Sequence, residues 1–572
     1  MYKNITILVF IVCATLISCA QSPKKNYQGE WVGHLPDKNT FNFKVTIEKQ
    51  QSNTFHLTIA NDQTIIDKKL TSTNKDKIHL NVNQQLFFEL EYEEGGKALV
   101  GFIKSGKFLY RTRFQRTDTN RYEVDWNPFM VNNSLQSDDI DLYVEHRENG
   151  NIAAYPFFGD QRFRGAWTKD FKKEGNIVSF KDGNTGFNFR AKLLVDTIEL
   201  EILLTDVVLT KTTLTFAKDG WEYTQNPIPQ VQNTDTPKQL DDGWATANCK
   251  DVGIDSNTLE TLISDIHKKE LVNTHSILIA KKDTLVFETY FDGFNADIPH
   301  DLRSASKSIS SAVIGIAIDD QIIESVDQKL YDFVPQKYQY TKDASKSKIT
   351  LQDLLTMSGG LAVNKEASEN TYQNPSNPNS WLQTVLEAPM VKEAGTYADY
   401  GSANPFLLGI CLNERLNIPL ENYMDEKLFA PLGIRNYINQ TDDSESVPYF
   451  GGGMLLTPRD LLKFGQLYLN NGKWKGQQII SEKWVQESFG KYRRLQDYDD
   501  KNEYGYLWWH DDYEVKGKNI EAIEARGAGG QFIFILPALE TVVVITSGNF
   551  RNRKGNQPRD ILQKYILPAI VN

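Results

Sequence analysis

The chain has 572 residues, of which 40% are hydrophobic and 24% are charged, and its formal net charge is −11. This length exceeds what one ordinary hydrophobic core supports, so we expect two or three domains. The negative charge gives no electrostatic reason to bind nucleic acid, and the scattered histidines lack the spacing of a metal site.

An export signal is predicted at the start of the chain. Lys3 precedes an apolar stretch that ends at Ile17, too short for a convincing membrane-spanning helix and typical of a signal-peptide core. The sequence Leu-Ile-Ser-Cys that ends at Cys19 resembles a bacterial lipobox, which implies cleavage before Cys19 and a lipid on that cysteine. We expect a signal peptide over 1–18, a tether over 19–26 and a membrane-anchored lipoprotein of the cell envelope. An ordinary signal peptide with a chance cysteine is the alternative.

Residues 27–226 have the periodicity of β-strands. Apolar and polar residues alternate from Phe41 to Ile47 and again from Leu86 to Tyr92, which is typical of strands with one buried face. We therefore expect an all-β domain, either a barrel or a sandwich. The sequence GEWVG that begins at Gly29 resembles the first strand of lipocalin-like barrels. The alternative to ligand binding in this domain is a spacer or lid that shapes access to the rest of the protein.

A linker and a domain of mixed α and β structure follow. Residues 227–240 combine prolines with polar residues and lack periodicity, as linkers do. In residues 241–572, helical spacing predicts an amphipathic helix that begins near Ser256, and two later segments have the pattern of β-hairpins. The first hairpin is predicted to turn at 282–283. A C-terminal helix is predicted to end at Pro568.

The most informative motif is the pair Ser304 and Lys307, which opens an apolar helical run. Residues three apart share a helix face, so Lys307 is expected one turn from the Ser304 hydroxyl. A serine hydroxyl is a weak nucleophile, and a lysine removes its proton only if burial and neighbouring cations lower the ammonium pKa from about 10.4. In the alternative, Ser304 is only a helix cap and Lys307 a surface charge.

The SxxK spacing by itself has little specificity, because the chain contains it five times. The other four matches lack a buried apolar helix and begin at Ser22, Ser72, Ser345 and Ser488.

Residues 241–572 resemble the penicillin-recognising serine hydrolases, nearest the class C β-lactamase branch with its esterases, D-alanyl peptidases and nylon-oligomer amide hydrolases. Besides SASK at Ser304, the motifs that carry the resemblance are LLTMSGGL, LFAPLGI, GGGMLLTPRDLLKFGQLYL, YGYLWW and GAGGQFIFILP. The resemblance implies an antiparallel sheet flanked by helices, with a helical subdomain. It also implies hydrolysis through an acyl-enzyme on Ser304, without a cofactor.

The resemblance implies a second and a third catalytic element. Tyr400 and Ser402 match the family's tyrosine that is followed two residues later by asparagine or serine, and Tyr400 is expected to move protons with Lys307. The third element normally contains a lysine or histidine, a small residue and a glycine. Here Ala528, Gly529 and Gly530 stand in its place, so the cation that would bind a substrate carboxylate is absent.

By the same resemblance, the backbone N–H groups of Ser304 and Gln531 form the oxyanion hole. The candidates for lining the substrate pocket are Ser402, Ala528, Gly529, Gly530 and Trp508. Core packing is the alternative for Trp508. His300 and His510 are more simply explained as surface or packing residues than as bases. With Cys249 and Cys411 the only cysteines beyond residue 19, we expect a buried free thiol at each rather than a disulfide.

These features predict an exported serine hydrolase that cleaves an ester or amide of a small-molecule or peptide-like substrate. Ser304 would be the nucleophile, with Lys307 and Tyr400 as proton-transfer groups. One alternative is β-lactamase or D-alanyl carboxypeptidase activity, which the missing third-element cation disfavours. An alternative of another class is a binding or sensor lipoprotein with a decayed site. No feature of the sequence sets an oligomeric state.

Overall fold

The computed structural model describes residues 27–73, 77–130, 138–146, 152–158, 168–218, 236–444, 446–495, 503–550 and 552–571. The predicted signal peptide, Cys19, the tether and most of the predicted linker lie outside the described residues. The predicted domain boundaries therefore stay predictions.

The N-terminal region is all-β, as predicted. Its described residues form strands β1 (Gly29–His34), β2 (Phe43–Gln51), β3 (Thr54–Ala60), β4 (Thr64–Thr71), β5 (Ile78–Asn81), β6 (Leu86–Tyr92), β7 (Ala98–Ser105), β8 (Phe108–Asp118), β9 (Arg121–Trp126), β10 (Asp139–His146), β11 (Ile152–Phe158), β12 (Lys169–Glu174), β13 (Ile177–Lys181), β14 (Asn188–Leu193), β15 (Thr197–Leu204) and β16 (Val207–Phe216). Strands β2 to β9 form a barrel-like antiparallel sheet in the order β4-β3-β2-β9-β8-β7-β6-β5. The other eight form a second sheet in the order β11-β10-β1-β16-β15-β14-β13-β12.

The alternation of the sequence explains these strands. In β2, Phe43, Val45 and Ile47 are buried while Lys44 is exposed, because successive side chains of a strand point to opposite faces. The buried residues of both sheets form one hydrophobic core.

The second region is built on a nine-stranded sheet in the order β17-β19-β18-β30-β29-β28-β27-β26-β25. The strands of this region are β17 (Ala245–Thr246), β18 (Thr274–Lys281), β19 (Thr284–Tyr290), β20 (His300–Asp301), β21 (Tyr437–Gln440), β22 (Met454–Leu456), β23 (Lys473–Trp474), β24 (Gln477–Gln478), β25 (Arg493–Arg494), β26 (Glu503–Tyr504), β27 (Trp509–Val515), β28 (Lys518–Gly527), β29 (Gln531–Leu536) and β30 (Thr541–Ser547). The predicted hairpin β18–β19 turns at Lys282 and Asp283, which have φ values of 50° and 61°, as the tightest hairpin turns require.

Helices cover both faces of this sheet. They are α1 (Ser256–His267), α2 (Ser306–Asp319), α3 (Leu351–Leu355), α4 (Glu369–Tyr372), α5 (Trp381–Glu387), α6 (Ala403–Asn413), α7 (Leu420–Met424), α8 (Pro458–Leu469), α9 (Glu482–Ser488), α10 (Gln557–Ile561) and α11 (Leu567–Ile570). One core contains α1 and the C-terminal helices, and the opposite core contains α2, α8 and the helical insertion. Helix α1 begins where the sequence predicts, and the fold is the predicted antiparallel sheet flanked by helices.

The C-terminal helix continues past Pro568, so the prediction that it ends there is wrong. Helix α10 leads through a π-helical turn (Leu562–Ile566) into α11, which contains Pro568 in its first turn. Proline has no N–H, and its ring clashes with the carbonyl one turn earlier. A π turn directly before the proline widens the backbone at that point and relieves this conflict.

The two regions share one hydrogen-bonded sheet. Strand β21 pairs with the start of β8, with Ile438 opposite Tyr110, and β21 also pairs with β22. Strand β22 in turn pairs with β20, where His300 lies opposite Leu456. The N-terminal barrel-like sheet therefore continues into the strand that ends three residues before Ser304.

Candidate active site

Ser304 lies in a single 3₁₀ turn (Arg303–Ala305) that leads directly into α2. Every residue of that helix from Ser306 to Ala317 is buried. Lys307 is only 1% exposed, whereas Ser304 keeps partial access to solvent. The Lys307 Nζ atom is 2.7 Å from Ser304 Oγ. The structure thus places a buried amine beside an accessible hydroxyl, as the spacing predicts.

Lys307 has three hydrogen-bond acceptors around its ammonium group. Besides Ser304 Oγ, it donates to Ser402 Oγ at 3.0 Å and to the carbonyl of Gly451. An ammonium has three N–H donors, so these acceptors account for all of them. Gly451 belongs to the glycine run that precedes β22, and its role was not predicted from the sequence.

The environment of Lys307 makes it easier to deprotonate. Burial is the main cause that lowers its pKa, to about 8, and the Arg303 guanidinium adds to this effect while the Glu369 carboxylate opposes it. A lysine of this pKa has an appreciable neutral fraction near neutral pH. A lowered ammonium pKa is the condition that a lysine base must meet, and Lys307 meets it.

Tyr400 and Ser402 both reach Lys307 from the segment that leads into α6. The Lys307 Nζ atom lies 5.3 Å from the centroid of the Tyr400 ring, within the range of a cation–π contact. The Tyr400 ring also packs against Tyr504 and Trp509, with centroid distances of 6.3 and 5.1 Å. Ser402, predicted as a pocket residue, is a direct hydrogen-bond partner of the lysine.

A charged cluster beside Lys307 was not predicted. Arg303, directly before the nucleophile, has a φ of 46°, a conformation that is uncommon outside glycine and concentrated at functional sites. Glu369 begins α4 and accepts a hydrogen bond from Tyr449 Oη at 2.7 Å. Burial disfavours its charged form, yet Arg303 and Lys307 hold the pKa of the Glu369 carboxyl below its ordinary value.

The residues that stand in place of the third element belong to a turn. Ala528, Gly529 and Gly530 form the turn between β28 and β29, and Ala528 is exposed. A side chain on the preceding Gly527 would lie 2.1 Å from the carbonyl oxygen of Leu302, so only glycine permits this close approach of β28 to the nucleophile turn.

Gln531 is buried at the start of β29. It is completely buried, belongs to the ladder between β28 and β29, and its side-chain amide donates to the Ser547 carbonyl at 2.5 Å. The assignment of its backbone N–H as an oxyanion donor stays a prediction. Ala528 is the exposed residue of the same turn.

Trp508 lies in the hydrophobic core rather than in the predicted pocket lining. It is completely buried, and its ring packs against Phe464 and Tyr468 with centroid distances of 6.0 and 4.8 Å. The neighbouring Trp509 is the tryptophan that contacts Tyr400. Adjacent residues at the start of a strand point in opposite directions, which is why one tryptophan faces the core and the other the tyrosine.

Both histidines considered as bases are buried against other side chains. His300 is buried against His275, with 2.8 Å between Nε2 and Nδ1 of the two rings. His510 is buried next to Glu521, and burial lowers its pKa. Cys249 and Cys411 are buried free thiols, as predicted.

The chain matches known proteins over this second region. A family model described as Beta-lactamase matches residues 259–566. The 6-aminohexanoate-dimer hydrolase of Paenarthrobacter ureafaciens is 24% identical over 313 residues, which cover 50% of this chain and 76% of that protein.

Two solved structures are also similar. A family VIII carboxylesterase is 16% identical with a TM-score of 0.44, over 55% of this chain and 96% of the esterase. A penicillin-binding protein from Bacillus halodurans is 15% identical with a TM-score of 0.39, over 49% of this chain and 92% of that protein.

Proposed function

The chain belongs to the Beta-lactamase family and is a serine hydrolase, and we propose that it cleaves an ester or amide through an acyl-enzyme on Ser304. The observation that carries the proposal is the distance of 2.7 Å between the accessible Ser304 Oγ and the buried Nζ of Lys307. The base and the nucleophile are already in contact, so the first proton transfer needs no rearrangement.

Each step of the proposed reaction uses groups near this pair. The Ser304 hydroxyl proton moves to neutral Lys307 as Oγ bonds to the substrate carbonyl carbon. The tetrahedral intermediate then expels an alcohol or amine, which takes a proton from Lys307 with the help of Tyr400. A water molecule gives a proton to Lys307 and attacks the acyl ester. The carboxylic acid leaves, and the proton returns to Ser304 Oγ.

The oxyanion hole is proposed to use the backbone N–H of Ser304 and that of Ala528. The exposure of Ala528 and the contact of Gly527 with the nucleophile turn support this assignment over Gln531. Two preorganised donors typically lower the barrier by several kcal/mol.

An uncharged ester or amide is the proposed substrate class. Efficient recognition of a β-lactam or of a C-terminal peptide carboxylate calls for a cation, and the turn 528–530 offers none. Arg303 lies near the nucleophile, but its guanidinium is 3.7 Å from Asp301 and interacts with Glu369. The 6-aminohexanoate dimer named for the Paenarthrobacter relative supports an amide as the scissile bond, but not the absence of charge elsewhere in the substrate. Rapid turnover of a cephalosporin, compared with p-nitrophenyl esters and anilides, would contradict this class.

Covalent labelling tests the nucleophile. A fluorophosphonate probe should label the wild-type protein and Ser306→Ala, which changes the buried serine that begins the following helix α2, but not Ser304→Ala. Equal labelling of Ser304→Ala would contradict the assignment of Ser304 as the nucleophile. Absence of both an adduct and ester turnover in the wild type would favour the decayed binding or sensor protein.

We also propose that the protein is an exported lipoprotein anchored through Cys19. The apolar segment and the lipobox-like sequence before Cys19 support this location. In the part of the chain that the structure describes, no helix is both long and apolar enough to cross a membrane. Expressed with radiolabelled palmitate, the wild type and Cys13→Ser should carry label, whereas Cys19→Ser should not. Label on the Cys19→Ser variant would contradict the proposed lipid anchor at Cys19.

A further inference from the structure

Several large hydrophobic side chains of the eight-stranded N-terminal sheet are exposed to solvent. Among the residues that the structure describes, eight large hydrophobic side chains are exposed, and four of them belong to this sheet: Tyr143, Ile177, Val195 and Phe216. The exposed fraction is 76% for Val195, 53% for Phe216 and 44% for Ile177. Single exposed hydrophobic residues are ordinary, whereas a group of them at one place indicates a contact surface.

Two neighbouring turns carry Ile177 and Val195. Strand β14 ends at Leu193, and the turn that follows contains Val195 and leads into β15. Strand β13 begins with Ile177, which lies opposite Lys192 near the end of β14. The Leu193 N–H donates to the carbonyl of Asn176 at 2.7 Å. The turns β12–β13 and β14–β15 therefore lie side by side at one end of the sheet.

Phe216 and Tyr143 lie at the same end. Strand β16 runs antiparallel to β15, with Thr215 opposite Thr197, the first residue of β15. Phe216 is therefore next to the turn that carries Val195. Tyr143 is paired with the second residue of β1, and the start of β1 lies beside the end of β16. We call these four residues, Tyr143, Ile177, Val195 and Phe216, the apolar end of the sheet.

The chain enters the described structure at the apolar end. Tyr27, the first described residue, donates from its hydroxyl to the Leu194 carbonyl at 3.1 Å. The Tyr27 ring packs against Trp31 with a centroid distance of 5.8 Å, and Trp31 packs edge-to-face on Phe216 at 5.3 Å. These contacts fix the start of the ordered chain between the β14–β15 turn and the end of β16.

The distance along the chain from Tyr27 to Cys19 is short. Residues 20–26 lie between them, and eight residue steps span at most about 28 Å when the chain is fully extended. A lipid on Cys19 therefore keeps the apolar end near the membrane surface. One acyl chain alone holds a protein only weakly, so a hydrophobic protein surface beside the lipid strengthens the attachment.

The opposite end of the same sheet faces the second region. The turn β13–β14 lies there, and Ser105 of β7 donates to the Thr185 carbonyl of this turn at 2.6 Å. The Lys107 N–H donates to the Asn184 carbonyl at 2.7 Å, and the Lys107 carbonyl accepts from the N–H of Thr441, directly after β21, at 2.8 Å. Strand β15 has eight residues, which separate the two ends of the sheet by about 26 Å.

We infer that the apolar end rests on the bilayer that holds the lipid of Cys19, with its exposed side chains inserted at the level of the headgroups. The inference rests on the proposed lipid anchor and adds which surface of the protein faces the membrane. It makes the N-terminal region a spacer that holds the second region away from the bilayer. Exposed charges of both signs surround the apolar end, so hydrophobic contact rather than attraction to anionic lipids drives the binding: Lys172, Lys173, Glu174, Lys192, Asp196 and Lys218.

A fluorescent label at Val195 tests the contact in the lipidated full-length protein. Val195→Cys, labelled with an environment-sensitive fluorophore, is reconstituted into phosphatidylcholine vesicles that contain nitroxide-labelled lipids. Val391→Cys is the matched control, because Val391 is an exposed valine of the second region, and the native Cys249 and Cys411 are buried. The label at 195 should shift its emission to the blue and be quenched by the nitroxide, whereas the label at 391 should show neither change.

The outcomes of this experiment are distinct. Equal emission and quenching of the two labels, in protein that floats with the vesicles, would overturn the inference. A blue shift of the label at 195 that depends on protein concentration and needs no vesicles would also overturn it, because a second copy of the chain then covers the apolar end. Protein that does not float would instead contradict the proposed lipid anchor.

A charge at Val195 tests whether the apolar end binds a bilayer by itself. In the Cys19→Ser background, which lacks the lipid, Val195→Asp should lower the ratio of vesicle-bound to free protein by about tenfold relative to Val391→Asp, because it removes the burial of one valine side chain. Sedimentation with phosphatidylcholine vesicles measures this ratio, and both positions are exposed enough to accept aspartate without unfolding. Equal ratios for the two variants would overturn the inference.

Discussion

The two regions of this protein bury their strands in different ways. In β2 of the N-terminal region, buried and exposed side chains alternate, whereas every residue of β29 and β30 is buried. The difference arises because the nine-stranded sheet has a hydrophobic core on each face, and the N-terminal strands keep one face in water. Helix α2, which carries Lys307, packs in one of these two cores.

The regions are nevertheless continuous through the ladder β8–β21–β22–β20. Strand β20 runs into the turn that carries Ser304, and the glycine run before β22 provides the Gly451 carbonyl that binds Lys307. The comparison therefore predicts a division of roles: the second region performs the chemistry, and the N-terminal region supports it through the junction that contains this ladder.

Replacing Lys307 should give the largest effect. It tests most directly whether the second region performs the chemistry. In Lys307→Met, and in Lys307→Arg, whose guanidinium stays protonated, kcat/KM should fall by about 10³-fold, because no base remains for the Ser304 proton. Ester turnover and fluorophosphonate labelling measure this. Lys348→Met is the matched control, since Lys348 completes the SxxK spacing that begins at Ser345 but is exposed. An active Lys307→Met variant would show that another group acts as the base.

The ion pair across the junction should give the next largest effect. Arg111 of β8 donates to Asp425 at 2.9 Å, and both side chains are largely buried. Arg111→Met should lower the free energy of unfolding by about 3 kcal/mol, because it leaves a partly buried carboxylate without its cation. Urea unfolding of both single variants and of Arg111→Met with Asp425→Asn measures the coupling. Strictly additive losses would show that the regions are not joined by this pair.

The sequence predicted the two kinds of sheet because hydrophobic periodicity is local. It did not predict the pairing of β21 with β8, since Tyr437–Gln440 is only four residues long and its partner is far away in the chain. Such short strands are defined by docking rather than by their own pattern. The SxxK pair was predictable because a helix fixes the geometry of residues three apart.

The missed and misplaced site residues share a different cause. Glu369 lies in a four-residue helix, and its role depends on Tyr449, a contact 80 residues away along the chain. Trp508 was assigned to the cleft although it is buried, because the exact position of a strand end decides which neighbour faces solvent. A shift of one residue reverses the direction of the side chain, and the sequence leaves that register open.

Within the second region, Ser402→Ala should sharpen the account of how Lys307 is held. The change removes one of the three acceptors of the ammonium. A hydrogen bond to a charged group contributes about 1.5 kcal/mol or more, so kcat/KM should fall by about tenfold while the protein stays folded. Steady-state kinetics and thermal unfolding measure the two quantities. Unchanged kinetics would show that Gly451 and Ser304 hold the lysine without Ser402.

The smallest effect is expected from a substitution on the solvent-exposed face of the N-terminal sheet. Lys44 of β2 lies opposite Asp125 of β9, and the two form an ion pair at 3.0 Å with both side chains more than half exposed. Exposed pairs of this kind contribute little because water screens the charges and the side chains lose freedom, so Lys44→Ala should change the free energy of unfolding by at most about 0.5 kcal/mol. The value of kcat/KM should not change, since Lys44 is not part of the β8–β21 ladder. A clear loss of activity in this variant, measured beside Arg111→Met, would mean that the N-terminal region influences Ser304 by a route other than the shared sheet.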